Sequence, residues 1–208
     1  MRTRILLGGL AAAALFAGQA SAANVLSDNF DSDGPGVFNW PGDLTFASTG
    51  TPGSVDLIGA PPPFFDLQPG NGFYVDLDGT TGSNNDPAGQ LTSNAAFGPG
   101  TYTLTFYLAG NLRDAPDQST TVSLGDFSAT LTPANTTAFQ LQSFTFTTAT
   151  GGNLVFTEHG PSDQQGNLLD TVNLNTGVPE PSTWAMMLVG FGGLGGLLRS
   201  RRRKLALA

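Results

Sequence analysis

Cysteine is absent from the 208 residues, so no disulfide framework holds this chain together. Histidine occurs once, at His159. A mononuclear catalytic zinc centre ordinarily needs more than one nitrogen or sulfur ligand, and there is no Gly-x-Ser-x-Gly elbow that would recruit His159 into a hydrolase triad. Basic residues are scarce: seven of the eight lie within residues 2–4 and 199–204, which leaves Arg113 alone between them. Against it stand fourteen aspartates and Glu158, a formal charge of about −14 over the middle of the chain. Such a surface repels nucleic acid and anionic headgroups and attracts divalent cations, with calcium foremost outside a cell because it takes several carboxylate and carbonyl oxygens. Two carboxylates can in principle cleave a glycoside, but no pair stands out among fifteen acids, and the reading is non-enzymatic.

Apolar runs long enough to span a bilayer are also missing, yet both ends are apolar. At the start, Arg2 and Arg4 precede an apolar run at residues 5–17 and then Ala20-Ser21-Ala22, a small-x-small site of the kind signal peptidase cuts after Ala22. Export follows. At the far end, residues 184–198 are 15 uncharged positions, which as a helix reach roughly 22 Å against the roughly 30 Å of a hydrocarbon core. Five glycines interrupt this run, two of them spaced as Gly192-x-x-x-Gly196. Arg201, Arg202 and Arg203 follow, the cationic block that the positive-inside bias keeps in the cytoplasm. The expected organisation is a signal helix over residues 1–22, a folded domain over 23–177, and a segment with a transmembrane-like helix over 178–208.

The tail resembles a known family. Pro179-Glu180-Pro181, two spacer residues, Trp184-Ala185-Met186-Met187, a Gly-rich apolar stretch and the arginine block are similar to the PEP-CTERM sorting signal of Gram-negative bacteria. The resemblance implies a transient membrane anchor. It implies further that a membrane-embedded exosortase recognises the Pro-Glu-Pro tripeptide, removes the tail and passes the protein to the cell surface or exopolysaccharide matrix.

The middle of the chain reads as β-structure. In Thr101-Tyr102-Thr103-Leu104-Thr105-Phe106-Tyr107-Leu108-Ala109, Tyr102, Leu104, Phe106 and Leu108 share one side and the threonines the other, the period-2 signature of a half-buried strand. Phe73 to Asp78, Val122 to Leu124, and Phe127 to Leu131 alternate likewise, the last two parted by Gly125-Asp126. Leu154 to Phe156 and Leu168 to Leu174 continue the series. In Phe139 to Phe146 the apolar phase flips at Ser143, which predicts a bulge or bend where the strand changes face. No helical period longer than a turn occurs in this region, and Gly, Pro and Asn punctuate the strands. The fold class is all-β, an antiparallel β-sandwich of jelly-roll type.

One acid sits awkwardly in that pattern. Simple alternation puts Asp170 on the face of Leu168, Val172 and Leu174, where an unpaired carboxylate costs several kcal/mol. Either a metal or backbone N–H groups at a strand end would satisfy it. Further metal oxygens are available from Asp28-Asn29-Phe30-Asp31-Ser32-Asp33 if the first and last strands pair. Gly72-Phe73-Tyr74-Val75-Asp76-Leu77-Asp78-Gly79, Pro99 to Phe106, Leu108-Ala109-Gly110-Asn111 and Leu168-Leu169-Asp170-Thr171-Val172 resemble, in order, landmarks of DUF642-like, galactose-binding-like jelly rolls. The resemblance implies a carbohydrate-binding-like sandwich with a structural calcium between the terminal strands, held here by Asp28, Asp31 and Asp170. Thr171 stands where that family's closing motif has Asn.

Two function classes remain open. In the first, the domain binds extracellular polysaccharide, with Trp40, Phe38, Tyr74 or Tyr107 stacking on sugar rings and Asn111, Arg113 and Asp114 bonding hydroxyls, because a pyranose pairs an apolar face with a polar rim. Trp40, beside Asn39 and Pro41-Gly42, is the best surface candidate. In the second, the domain is a passive acidic matrix protein of the exopolysaccharide layer without a saccharide pocket. An aromatic strip on one sheet would favour the first.

Overall fold

A computed structural model of the protein describes residues 22–49, 53–59, 65–80, 88–113, 116–161 and 163–177, together with 190, 191 and 193. The chain divides into two units, Ala22–Gly177 on one hand and Met1–Ser21 with Val178–Ala208 on the other. Of the second unit only the helical backbone at 190, 191 and 193 is described; the expected signal helix, the Pro-Glu-Pro tripeptide, Trp184 and the arginine block lie outside the described residues. Among the described residues no helix is long and apolar enough to cross a membrane.

The first unit is built from β1 (Asn24–Asp28), β2 (Phe46–Ser48), β3 (Asp56–Gly59), β4 (Phe73–Asp76), β5 (Gln90–Phe97), β6 (Gly100–Ala109), β7 (Ser119–Leu124), β8 (Phe127–Leu131), β9 (Gln140–Thr148), β10 (Gly152–His159) and β11 (Leu168–Thr176). All pairings are antiparallel. One sheet runs β3-β4-β11-β6-β9, with β1 also paired to β11, and the other runs β2-β5-β10-β7-β8. Each sheet turns its alternating apolar row inward, as an antiparallel sheet with one wet face requires. Tyr102, Leu104, Phe106 and Leu108 of β6 meet Val122, Leu124, Leu154 and Phe156 of the facing sheet in one core. Aromatic rings tie the loop after β1 into it: Phe30 lies 6.0 Å from Trp40 and 5.9 Å from Phe46, and Phe46 lies 6.5 Å from Phe156. Such edge and tilted contacts add about 0.5–1.5 kcal/mol each beyond area burial.

The outward rows are hydroxylic. Thr101 pairs with Thr147 at 2.9 Å, Thr103 with Thr145 at 3.2 Å and Thr121 with Thr130 at 2.8 Å across neighbouring strands, and cross-strand threonine pairs of this kind stabilise the ladder.

Two expectations are corrected. The bulge expected at Ser143 does not form: β9 keeps an unbroken register against β6 from Thr148 to Gln140. Leu141, whose apolarity suggested the flip, instead stands 58% exposed opposite Tyr107 on the outer face. The irregularity falls in β11, where the register against β6 shifts between Asp170 and Asn173 and Thr171 takes a φ of 46°. This bulge turns the strand over. Leu169, Val172 and Leu174 join the main core, while Leu168 packs on the opposite side with Ile58, Tyr74 and Ala109. Asp170, two positions from Leu168, therefore leaves the face of Val172 and Leu174.

Candidate functional site

Beside β3 and β4, a cavity of about 210 Å³ is lined by Phe38, Asp56, Ile58, Phe65, Asp76, Thr80, Arg113 from the connection after β6 and Gln164 from the connection before β11. Its floor is a carboxylate. Asp76, the last residue of β4, is 3% exposed. It accepts hydrogen bonds from the backbone N–H of Asp78 at 3.1 Å and of Gly166 at 3.0 Å, from Asn111 Nδ2 at 3.3 Å, and from the Arg113 guanidinium. Burial pushes the Asp76 carboxyl up to about 8, and the Arg113 guanidinium opposes that shift. Arg113 also donates to Asn111 Oδ1, so Asn111 bridges the pair.

Neighbouring acids hold the walls. Asp78 Oδ2 accepts from the backbone N–H groups of Asp163, Gln164 and Gln165 at 2.9, 2.8 and 3.4 Å, which pins the loop before β11 over the cavity. Burial raises the carboxyl of Asp78, and those three backbone donors act against it. Gly166 is required there, since a Cβ on it would stand 2.3 Å from Asp78 N and 2.8 Å from Asp76 Oδ1. Asp56, on β3, accepts from Asn39 N at 2.6 Å, from Thr80 N at 3.1 Å and from Thr80 Oγ1. Above these groups Phe38 and Phe65 are 42% and 59% exposed, with ring centroids 6.3 Å apart and planes 49° apart. Chemically the cavity offers two aromatic faces, one guanidinium edge and several carboxylate oxygens, two acids against one base.

Of the residues proposed from sequence for ligand binding, Phe38 and Arg113 line this cavity and Asn111, 3% exposed, supports it from beneath, while Asp114 lies outside the described residues. Trp40 and Tyr74 do not belong to it. Trp40 is 4% exposed, drawn inward by Phe30 and by its backbone N–H, which donates to Val55 O at 2.8 Å. Turn residues on either side had suggested a surface position, and the core packing overrides them. Tyr74 is fully buried; its hydroxyl accepts from the N–H groups of Leu67 and Gln68 at 2.6 and 3.0 Å, donates to Asp66 at 3.2 Å, and its ring meets Phe139 edge-on. Burial lifts its phenol to about 12. Tyr107 is the only aromatic exposed on an outer sheet face among the described residues, so there is no aromatic strip there. Sequence reading missed Asp56, Asp76, Thr80 and Phe65. The available signal was Asp76-Leu77-Asp78, two acids on the outward phase at the end of a strand.

Of the acids proposed as calcium ligands, Asp31 and Asp170 lie near enough for the charge of one to act on the other, while Asp28 has further acidic neighbours. β1 does pair with β11, placing Asp28 opposite Val172, but the carboxylate of Asp28 lies with Asp33 and Asp43. Asp31 accepts from Phe73 N at 3.0 Å and Asn29 Nδ2 at 2.8 Å. Asp31 also fills the space beside Gly72, whose φ is 74° and whose Cβ would stand 1.8 Å from Asp31 Oδ1. Asp170 accepts from Thr171 Oγ1 at 2.9 Å; burial raises its carboxyl to about 6, with the negative charge of Asp31 adding to the shift. His159 is exposed at the end of β10, within 2.8 Å of Thr121 Oγ1.

Residues 177–203 match the PEP-CTERM protein-sorting motif. The chain carries an exosortase sorting signal. Such a motif indicates an exported protein and implies processing by an exosortase. No curated protein matches the sequence. Among solved structures, the sandwich resembles a cleaved adhesin domain of Lys-gingipain from Porphyromonas gingivalis, with a TM-score of 0.52 and 16% identity over 76% of this chain and 100% of that one. It also resembles the CBM22-1 xylan-binding domain of Xyn10C from Paenibacillus barcinonensis (TM-score 0.45, 15% identity, 77% of this chain and 97% of that one) and a CBM35 from the same organism (TM-score 0.38, 12% identity, 69% and 100%). At 16% identity the likeness to the adhesin domain is one of fold alone, an antiparallel β-sandwich.

Proposed function

We propose that the sandwich is a non-catalytic saccharide-binding module, carried outward by the sorting signal to the cell surface or extracellular matrix, and that the cavity beneath Phe38 and Phe65 is its ligand site. The observation that carries this reading is the exposed ring pair set over hydrogen-bonding groups fixed by burial, because a sugar needs an apolar face and polar edges met together. The ligand is a neutral saccharide. Two carboxylates share the cavity with one guanidinium already committed to Asp76, so nothing draws in a uronate or phosphate. A passive acidic matrix protein is the second reading, favoured by the hydroxylic outer sheet faces and their lack of an aromatic strip.

A panel of immobilised neutral and acidic polysaccharides, probed with and without calcium, tests this. Saturable binding to a neutral glycan should fall about tenfold, or about 1.4 kcal/mol, in Phe38→Ala and Phe65→Ala variants of unchanged melting temperature. Absence of binding to every glycan, under both conditions, would remove the saccharide reading and leave the matrix one.

A further inference from the structure

Asp28, Asp33 and Asp43 each present a carboxylate oxygen to a common point, the three atoms lying within 4.8 Å of one another. Asp28 ends β1; the other two belong to the connection that leads to β2. Asp28 is 8% exposed. Its Oδ1 accepts the Phe30 N–H at 2.8 Å, while its Oδ2 is buried with no partner. Asp33 Oδ2 is likewise buried and unpartnered. Asp43 Oδ1 accepts from the N–H groups of Thr45 and Phe46 at 2.7 Å each. No cation compensates these acids within the folded unit, since Arg113 is its only basic side chain of permanent charge and is paired with Asp76. Buried carboxylate oxygens without donors are costly unless a proton or a cation meets them.

We propose that these three aspartates form a calcium site that fastens the β1–β2 connection to the core. The donor set is all oxygen and carries up to three negative charges, which selects a hard divalent ion. An ion at the 2.3–2.6 Å typical of calcium spans oxygens up to about 5 Å apart. The site is distinct from one between the first and last strands, because Asp31 and Asp170 are not among its ligands and each has partners of its own. It sits where a staple matters. Asp28 holds Phe30, which is fully buried at a φ of 60°, a conformation bulky residues rarely adopt, and Phe30 anchors Trp40 and Phe46.

The test uses the full-length protein in detergent, stripped with EDTA and titrated with calcium chloride by calorimetry, with melting followed in parallel. One strong site per chain is expected, with calcium at 100 times its Kd raising the melting temperature through a stabilisation of about 2.7 kcal/mol. Asp33→Asn and Asp43→Asn should each weaken binding at least tenfold, whereas Asp31→Asn and Asp170→Asn should leave the affinity within about twofold. Asp33→Asn, on a partly exposed loop residue, keeps the test open should an Asp28 variant fail to fold. No calcium binding by the folded parent protein, or binding abolished by Asp170→Asn and untouched by Asp33→Asn and Asp43→Asn, overturns the assignment.

Discussion

Replacing Glu158 by glutamine should change how stability depends on pH more than it changes stability in acid. Glu158 ends the inward row Leu154, Phe156, Glu158 of β10 and is 3% exposed. Thr120 Oγ1 donates to its Oε2 at 2.5 Å, and Oε1 has no partner. Burial, with the negative charges of Asp76 and Asp78 adding to it, lifts this carboxyl from 4.5 to about 8. The folded protein therefore keeps a proton that the unfolded chain gives up above about 4.5. Stability from this group is complete below that pH and is lost as pH rises toward 8, at up to about 1.4 kcal/mol per pH unit. Across the window the loss is on the order of 4 kcal/mol. A glutamine amide imitates the protonated side chain and does not titrate. Urea unfolding of parent and Glu158→Gln proteins at pH 5, 6, 7 and 8 should give curves that nearly coincide at pH 5 and diverge by several kcal/mol at pH 8, the variant being the more stable. Curves that stay parallel from pH 5 to 8 would show that Glu158 is ionised in the native state and refute the reasoning.

Thr171→Asn should raise the melting temperature by a few degrees in differential scanning calorimetry. The position has a φ of 46°, which asparagine tolerates far better than a β-branched residue, and about 1 kcal/mol shifts a domain of this size by roughly 2–4 °C; a lower melting temperature would mean that the Thr171 hydroxyl bond to Asp170 outweighs the backbone strain. Trp40→Ala should destabilise by about 3–5 kcal/mol in urea melts, as truncation of a buried aromatic does, while glycan binding by the folded fraction is retained. Loss of binding at full stability would instead place Trp40 at the ligand.

The tail was legible because its recognition is linear: Pro179-Glu180-Pro181, the tryptophan, the apolar run and the arginines are read in order along the chain, and residues 177–203 match the sorting motif on that basis. Strands β6, β7, β8, β10 and β11 were legible because alternation is local, each apolar residue facing inward every second position. The short β1, β2 and β3, of 5, 3 and 4 residues, carry too little pattern to stand out. Leu141 misled because an apolar residue on a wet face costs little and need not mark a change of phase.

What the sequence by itself determined, then, is an exported, cysteine-free, acidic all-β domain with a sorting signal. Only the tertiary structure decided which polar groups meet. A bulge at Thr171 turned Asp170 away from the core side of its strand. Packing against Phe30 took Trp40 inside, and two loops buried Asp76 and Asp78 on what looked like a wet edge. Strand phase is fixed by near neighbours, but a binding site is assembled from residues such as Phe38, Asp56, Asp76 and Arg113, which only chain folding brings together.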